Sequence, residues 1–498
     1  MKKKLALALS LMLVCSNMCT LGACGNKKMD ISGIVKPTFE DTKGMIFTAY
    51  SGPTVENWSG SSRNVNTITE EHFQKFKEAG FNRLIAIHEG ARAANNSDPY
   101  QQIRNFNKRG REDAMVVLDM AQKYGIEYYV RDWAFYDLHN YWNAGIDTEE
   151  EYRIVLEEMF DETNEYIHHP AYCGNFGRDE PGAIQFERII WQINLYNEML
   201  EKQGAKGEFL LNLLPAYGSD AAYGGVEDGG EAISYIEYVD RYFAEIAPLL
   251  GYVSYDFYPF LSDIKTGSML RNNYLSNLSI MASRCKKGGY ELRTFVQTGG
   301  DFTGLRDLTS IADFRFQVYT NMAFGSKQMT YYEYGTFKSQ DEGEFGLINL
   351  QDGTYNYTYD LAKRVNNEVH AFEDEYLNFN FDGILTYSSK PATTVNVHFR
   401  GLDSGVKMNK HERIANVTRS EDAIIGAFKD KNGNDAFMLV NYTDPYYNLS
   451  NRVTIQFNDA KALLMYRFGE EYLVPLNADG TYTFELYPGE GRFIIPLK

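Results

Sequence analysis

The chain has 498 residues, 44% of them hydrophobic and 23% charged, which suits a globular protein too long for one ordinary core but long enough for a large barrel plus an accessory domain. A formal charge of −18, with no basic stripe and no nucleic-acid-binding signature, argues against nucleic acid as a partner. Aromatic residues make up 14% of the chain, with 37 Tyr and 31 Phe, an excess that fits either a ring-rich core or a surface that grips half-apolar ligands such as sugars.

The chain opens with Lys2-Lys3-Lys4 and an apolar run from Leu5 to Val14. That run is too short to span a bilayer comfortably, so residues 1–23 read as an export signal outside the fold. Leu21-Gly22-Ala23-Cys24 resembles the lipobox of bacterial lipoproteins. The resemblance implies cleavage before Cys24, lipidation of that cysteine, an extracytoplasmic location and a membrane held through the lipid. Cys15 and Cys19 would leave with the leader, so that Cys173 and Cys285 remain, expected as buried free thiols with one disulfide as the alternative. Residues 24–43 are polar, without a sustained period, and read as a tether.

From Gly44 short aromatic and β-branched runs alternate with amphipathic stretches, the pattern of βα units around a parallel sheet. Eight strands are expected: 44–50, 81–89, 126–133, 172–180, 208–217, 252–260, 292–300 and 328–335. Thr69 should cap a helix that carries Phe73, Phe76 and Ala79 on one face and stops at Gly80. Thr148 and Glu151 form a capping box that opens a helix running to about Pro170. These elements predict an α/β fold, a (β/α)₈ TIM barrel over 44–378. An open doubly wound sheet is the alternative, but no Gly-rich phosphate-binding fingerprint follows the first strand. Beyond the last helix the period changes to short alternating strands, including 392–400, 423–442, 451–457, 461–468 and 481–497, with turns at Lys431–Asn434 and Ala478–Gly480. Residues 379–498 therefore read as a C-terminal antiparallel β-sandwich, a stability element without an obvious aromatic binding strip of its own.

In a parallel barrel, chemistry sits at the C-terminal ends of the strands. Those ends supply His88, Glu89, Arg131, Asp132, Arg178, Asp179, Glu180, Asp256, Gln297 and Glu333, with Trp58, Trp133, Tyr136, Trp142, Tyr258 and Tyr332 beside them. Carboxylates among aromatic rings suit a carbohydrate, whose hydroxyls donate to the acids while its C–H faces stack on the rings. Glycoside hydrolysis needs an acid for the leaving oxygen and a second group for the anomeric carbon. Glu180, in "CGNFGRDEPG" (173–182), is the candidate acid: Pro181 is expected to hold it extended at the mouth, and partial burial to keep it protonated. The structural alternative makes Glu180 a carboxylate stabilised by the dipole of the following helix.

"KEAGFNRL" (77–84), "DFYPF" (256–260), "AFGSKQMTYYEYG" (323–335) and "ELYPGEGRFIIP" (485–496), in this order, resemble the clan A retaining glycosidases, including the family 42 β-galactosidase type. The resemblance implies an acid Glu at the end of the fourth strand, here Glu180, and a nucleophilic Glu at the end of the seventh, where this chain has Gln297. Three readings of that departure stay open. Glu333 on the eighth strand is the partner of Glu180; or Asp179-Glu180 works as the Asp-Glu pair of glycoside hydrolase families 20 and 123, which it resembles, with the substrate's own acetamide as nucleophile; or the barrel is a non-catalytic surface glycan-binding lipoprotein. Asp256 and Asp132 are expected as hydroxyl ligands or partners of Arg131 and Arg178. Trp133, Tyr258, Tyr332, Gln297 and Arg178 would line the sugar site together with His88 and Glu89, which lack the second His of a zinc helix motif. No metal and no cofactor is expected, and no Gly-x-Ser-x-Gly elbow supports an esterase.

Overall fold

The computed structural model describes residues 27–56, 64–85, 99–136, 141–142, 144–161, 165–300, 304–336, 346–391, 393–394 and 396–498, with the backbone alone for 99–110, 133, 136 and 159–161. The expected export signal, Cys24, Trp58, His88 and Glu89 lie outside the described residues, as does the Trp133 side chain.

Eight strands build one parallel sheet: β1 (Ile46–Tyr50), β2 (Arg83–Ile85), β3 (Glu127–Val130), β4 (Tyr172–Asp179), β5 (Glu208–Asn212), β6 (Tyr252–Tyr255), β7 (Glu291–Gln297) and β8 (Gln328–Tyr332). Their order is β5-β4-β3-β2-β1-β8-β7-β6, and a parallel bridge between Leu213 and Tyr255 joins its two ends into a barrel. Each expected strand is present over part of its expected range, and the second lies outside the described residues beyond Ile85. The outer helices are α1 (Glu70–Glu78), α2 (Pro99–Tyr124), α3 (Glu149–Asp161), α4 (Phe186–Gln203), α5 (Tyr235–Glu245), α6 (Tyr274–Gly288), α7 (Ile311–Ala323) and α8 (Tyr357–His370). Thr69 Oγ1 accepts from His72 N at the start of α1, and Thr148 and Glu151 exchange bonds at the start of α3, so both caps form as the residue types require. Helix α3 ends at Asp161, earlier than expected, and a separate 3₁₀ turn spans Glu165–His168.

Inside the barrel polarity changes with height. At the base Arg83, Glu127, Glu208 and Arg293 form ion pairs, with Arg293 Nη1 2.8 Å from Glu208 Oε2 and Arg83 Nη1 donating to the Tyr129 hydroxyl at 3.0 Å. A ring-rich layer of Tyr50, Tyr129, Phe176, Tyr252 and Phe295 lies next to it. Cys173 and Cys285 are free thiols.

The nine C-terminal strands are β9 (Phe379–Tyr387), β10 (Ile414–Arg419), β11 (Ala423–Asp430), β12 (Asp435–Asn441), β13 (Asn451–Phe457), β14 (Ala462–Arg467), β15 (Glu470–Pro475), β16 (Thr481–Leu486) and β17 (Gly491–Leu497). They form an antiparallel sheet β9-β11-β12-β17-β14-β15 and a second sheet β10-β13-β16, with a core of Leu439, Val453, Phe484 and Ile494 between them. The expected strand at 392–400 is not formed by the residues described there. Asn396 Oδ1 accepts from His398 N and its Nδ2 donates to Asp422 Oδ2, and these local bonds favour a 3₁₀ turn at Val397–Phe399 over ladder pairing. Strand β9, absent from the sequence reading, carries a bulge between Phe381 and Gly383 that breaks its alternation.

Helix α7 joins barrel and sandwich. Residues Asp313–Ala323 are all buried, which explains why its sequence has no polar face. Its polar side chains are paired instead: Arg315 with Glu368, Asp313 with Arg306, and Asn321 with the Tyr274 hydroxyl and Phe295 O. Residues 27–43 do not hang loose as a tether would. Met29 N donates to Leu476 O, Ala478 N to Lys27 O, and Thr42 N to Asp374 Oδ1, so the segment runs along the folded surface.

At Gly426 in β11 an added Cβ would stand 2.1 Å from Ala323 O, a backbone atom at the end of α7. Gly426→Ala is therefore expected to destabilise the protein by about 1–3 kcal/mol through overpacking of the joint. A thermal melt with the transition unchanged would show that the close approach carries no weight.

Candidate active site

A cavity of about 460 Å³ opens where the barrel strands end, lined by Tyr50, Asp179, Glu180, Asn212, Tyr217, Asp256, Tyr258, Arg271, Phe295, Leu305 and Tyr332. Three of these are carboxyl groups, and two are neighbours in sequence. In a regular strand adjacent side chains point to opposite faces, so Asp179 and Glu180 cannot share a cavity without a break in the β geometry. The chain supplies two breaks.

The first is a register shift between Phe176 and Arg178 against β5. Phe176 lies in the interior layer, so strict alternation would turn Asp179 outward, whereas the bulge resets the count and pairs Asp179 with Asn212. Gly177 permits it, since a Cβ there would stand 2.1 Å from the Phe209 ring. The second break is Glu180 itself, whose φ is +46°. Pro181 was expected to keep this residue extended, but the left-handed conformation turns its side chain to the cavity. Glu180 N still donates to Asn212 O at 2.9 Å, and the Tyr238 hydroxyl holds Pro181 O at 2.9 Å, so the turn is anchored on both sides. A strained backbone in a non-glycine residue at a strand end is a feature of functional sites.

Asn212, from the end of β5, organises the acids. Ser254 Oγ donates to its Oδ1 at 2.9 Å, which fixes the amide so that Nδ2 donates to both Asp179 Oδ1 and Asp256 Oδ1 at 3.1 Å. Tyr50 donates to Asp179 Oδ2 at 2.6 Å. Asp256 and Glu180 are hydrogen-bonded to each other. Burial and the adjacent Asp179 carboxylate push Glu180 up to about 7, against the bond from Asp256, which lowers it. Burial also raises Asp256, helped by the charges of Glu180 and Asp179, and it raises Asp179 against Tyr50, Asn212, Arg131 and Arg178. The cavity therefore keeps a proton on the Glu180–Asp256 pair near neutral pH, the state a general acid needs.

Rings complete the walls. Tyr332 lies 5.2 Å from Tyr50 and 5.5 Å from Tyr258 between centroids, and Arg271 stacks 3.9 Å above Tyr217 while its Nε donates to Tyr258 O at 3.0 Å. Tyr50, Asn212, Tyr217, Arg271, Phe295 and Leu305 were not singled out from sequence. Asn212 and Tyr217 lie within the expected fifth strand, and position at a strand end was the only signal available for them.

The other candidates lie elsewhere. Asp132 is buried outside the cavity, accepting from Arg111 Nε and the Tyr166 hydroxyl at 2.8 Å each, so its partner is Arg111, where Arg131 or Arg178 was expected. Arg178 is half-buried and acts on Asp179 through its charge. The Gln297 amide is consumed internally: Oε1 accepts from Phe260 N, and Nε2 donates to the carbonyls of Gly299 and Arg306 at 3.0 Å. Glu333 is not among the cavity's lining residues. Its Oε2 accepts from Ser51 Oγ at 2.7 Å, and burial pushes it up to about 7 against its bonds with Ser51 and Thr336. Among the described residues no group of three or more His, Cys, Asp or Glu side chains is arranged to hold a metal ion.

No family model and no curated protein matches the chain. Among solved structures, the β-galactosidase from Bacillus circulans sp. alkalophilus is 9% identical, with a TM-score of 0.55 over 92% of this chain and 100% of that one. A family 42 β-galactosidase from G. stearothermophilus aligns at 9% identity and a TM-score of 0.48 over 93% and 99% of the two chains. The β-galactosidase from Marinomonas ef1 aligns at 11% identity and 0.44, over 66% of this chain but only 60% of its own length. The likeness is one of fold, the (β/α)₈ barrel followed here by antiparallel sheets.

Glu333 offers a test of its own. Its raised folded value, about 7 against 4.5, means that ionisation costs stability: its contribution is intact below pH 4.5 and is lost as pH rises through 7. Glu333→Gln should match the wild type below pH 4.5 and exceed it above pH 8 by about 3 kcal/mol, read from denaturant midpoints. Equal stability at both pH values would contradict the burial that raises this group.

Proposed function

We propose that the chain is a glycoside hydrolase in which Glu180 is the general acid and Asp179 orients a 2-acetamido group of the substrate. The observation that carries this reading is that Asp179 and Glu180 line one cavity together, while neither Gln297 nor Glu333 does. Among the described residues the seventh and eighth strands then place no second carboxylate in the cavity, and a substrate that brings its own nucleophile removes the need for one.

In the proposed step the acetamide oxygen attacks C1 as the C1–O bond to the leaving group breaks, and Glu180 delivers its proton to the departing oxygen. Asp179, fixed by Tyr50 and Asn212, accepts the acetamide N–H and balances the charge that develops on the ring formed. Glu180, now ionised, takes a proton from water, which opens that ring at C1 and restores the starting state with retained configuration. Tyr258 and Tyr332 give the sugar a stacking face. Asp256 acts through Glu180 as a positioning group that shares its proton.

A panel of aryl glycosides with and without the acetamide tests this. Wild-type enzyme should cleave 2-acetamido-2-deoxy glycosides, Glu180→Gln should lose on the order of 10²–10⁴ in kcat, and Asp179→Asn on the order of 10²–10³. Cleavage of plain hexosides with a harmless Asp179→Asn would refute the acetamide role. Retained sugar binding with no turnover in any variant or in the wild type would favour a glycan-binding protein.

The pH profile has a defined sign. Activity requires protonated Glu180, so kcat/KM should fall as pH rises through about 7. Asp179 raises Glu180 by its charge, so Asp179→Asn should move that limb to lower pH in whatever activity remains. A limb that stays in place would remove Glu180 as the titrating group.

We also infer export and lipid attachment at Cys24, on the strength of the lysine-led apolar leader and the Leu21–Cys24 motif. Incorporation of a fatty-acid label by the wild type but not by Cys24→Ala is the expected result.

A further inference from the structure

Large apolar side chains that remain exposed are usually scattered singly, but five of them gather on two loops that touch: Ile264 and Met269 on one, Tyr446, Tyr447 and Leu449 on the other. The first loop follows β6. Its bases enter the cavity wall as Tyr258 and Arg271, and between them a short hairpin pairs Phe260–Leu261 with Met269–Leu270. Leu261 also bridges to Leu305, another lining residue of the cavity. The second loop comes from the sandwich, between β12 and β13, and leans on that hairpin.

The two loops are tied together by side-chain bonds and close packing. Ser268 Oγ donates to Asp444 Oδ2 at 2.7 Å in a buried position, and Tyr447 donates to Ser268 O at 3.1 Å. Gly267, at φ +83°, lies so close to Tyr446 that a Cβ would stand 2.2 Å from the ring hydroxyl. Arg306, paired with Asp313 at 2.7 Å, stacks on Phe260 at 4.6 Å and approaches Tyr446 at 5.5 Å. The two tyrosine rings stand 5.6 Å apart at 89°, yet remain 45% and 47% exposed. Tyrosines fixed from behind and bare in front form a preorganised stacking surface, with little side-chain entropy left to lose on binding.

We propose that Tyr446 and Tyr447, with Ile264 and Met269 beside them, form a glycan-binding shelf that holds the part of a saccharide chain projecting from the cavity. The occupant is a neutral oligo- or polysaccharide. It is singled out by the unbroken course of the β6 loop from the cavity wall to the shelf, and by exposed phenol rings that offer flat apolar faces while their hydroxyl ends are turned to the join behind them. The inference rests on the glycosidase reading for the role of the shelf in catalysis, but not for binding itself. It gives the sandwich a part in substrate choice that its sequence does not announce.

The test separates the two readings. Affinity electrophoresis of the full chain through gels containing glycol chitin, β-1,4-galactan, mannan, xylan or mucin should show retardation by at least one of them. Tyr446→Ala/Tyr447→Ala should weaken that retardation roughly tenfold, as loss of two stacking faces implies. Tyr447→Phe keeps the ring and should bind like the wild type, and Ile264→Asp, at a fully exposed position, should weaken binding without a folding risk. In hydrolysis the double alanine variant should raise KM for an oligosaccharide about tenfold, while leaving kcat/KM for an aryl monoglycoside unchanged. No retardation by any of the five polysaccharides, or equal loss on both substrates in a variant with wild-type thermal stability, overturns the shelf. Retardation that depends on the tyrosines with no hydrolysis of any glycoside would keep the shelf and sink the glycosidase.

Discussion

Burial of carboxyl groups beside one another sets the acid–base character of this barrel's mouth. Asp179, Glu180 and Asp256 share one cavity, where burial raises all three and neighbouring carboxylates raise Glu180 and Asp256 further, so that Glu180 is pushed up to about 7 and Asp256 well above its ordinary range. The opposite end of the same barrel shows the contrast. There burial would raise Glu208 as well, but Arg293 and Arg83 overcome it and hold the carboxyl at about 2. With two guanidinium groups at hand Glu208 is a permanent anion in an ion-pair plug. At the mouth Glu180 has a carboxylate and a carboxylic acid as its nearest partners and remains a weak acid. The barrel thus sets a guanidinium pair against the carboxylate at its base, whereas no cation lowers Glu180 at its mouth, which is left able to exchange a proton.

That arrangement depends on a local failure of β geometry. Were β4 regular, Asp179 and Glu180 would face opposite sides and the cavity would hold at most one of them. The bulge at Gly177 and the left-handed Glu180 cost conformational energy, on the order of 1–3 kcal/mol for the latter. The surroundings hold them in place through Asn212 O on one side and Tyr238 on the other. The neighbouring strands β5 and β6 are then recruited through Asn212, Ser254 and Asp256, so that one amide group keeps two acids at fixed separation.

The repeating parts of this architecture were legible because they rest on local rules. Eight aromatic and β-branched runs marked the barrel strands, and Thr69, Thr148 and Glu151 marked two helix starts. The strand-end rule led to Asp179, Glu180, Asp256, Tyr258 and Tyr332, all of which line the cavity. What failed involves geometry that one residue type does not encode. Pro181 argued for an extended Glu180, and the anchored turn overrode it. Asp132 sits at a strand end yet faces Arg111 and Tyr166, because which way a strand end points depends on register. The abundance of tyrosine hinted at sugar binding, but many of those rings fill the core, and several give their hydroxyls to backbone carbonyls, as Tyr252 does to Phe209 O and Tyr376 to Met322 O. Strand β9 was hidden by its bulge, and the tyrosines beside Pro445 looked like an ordinary loop until the β6 hairpin came to lie under them.

The seventh and eighth strands complete the division of labour. A glycosidase with two acids needs a carboxylate across the cavity from Glu180, and the end of β7 is where the resemblance to clan A would place it. Here that end is committed to bonds within the barrel, to helix α7 and to the loops beside it. The backbone of Gln297 is bracketed by the Gln317 side chain of α7, and its own amide ties Phe260, Gly299 and Arg306 together. A glutamate at 297 would keep the acceptor for Phe260 N but lose the amide hydrogens that satisfy those carbonyls, and would bury a charge with no cation in the inner bonding set. The strand is thus built for an amide and against an acid, independently of any reaction. On the far side Glu333 is tied to Ser51. Among the described residues the carboxyl groups that line the cavity come from one flank of the mouth, the ends of β4 and β6, with Asn212 of β5 holding Asp179 and Asp256 between them.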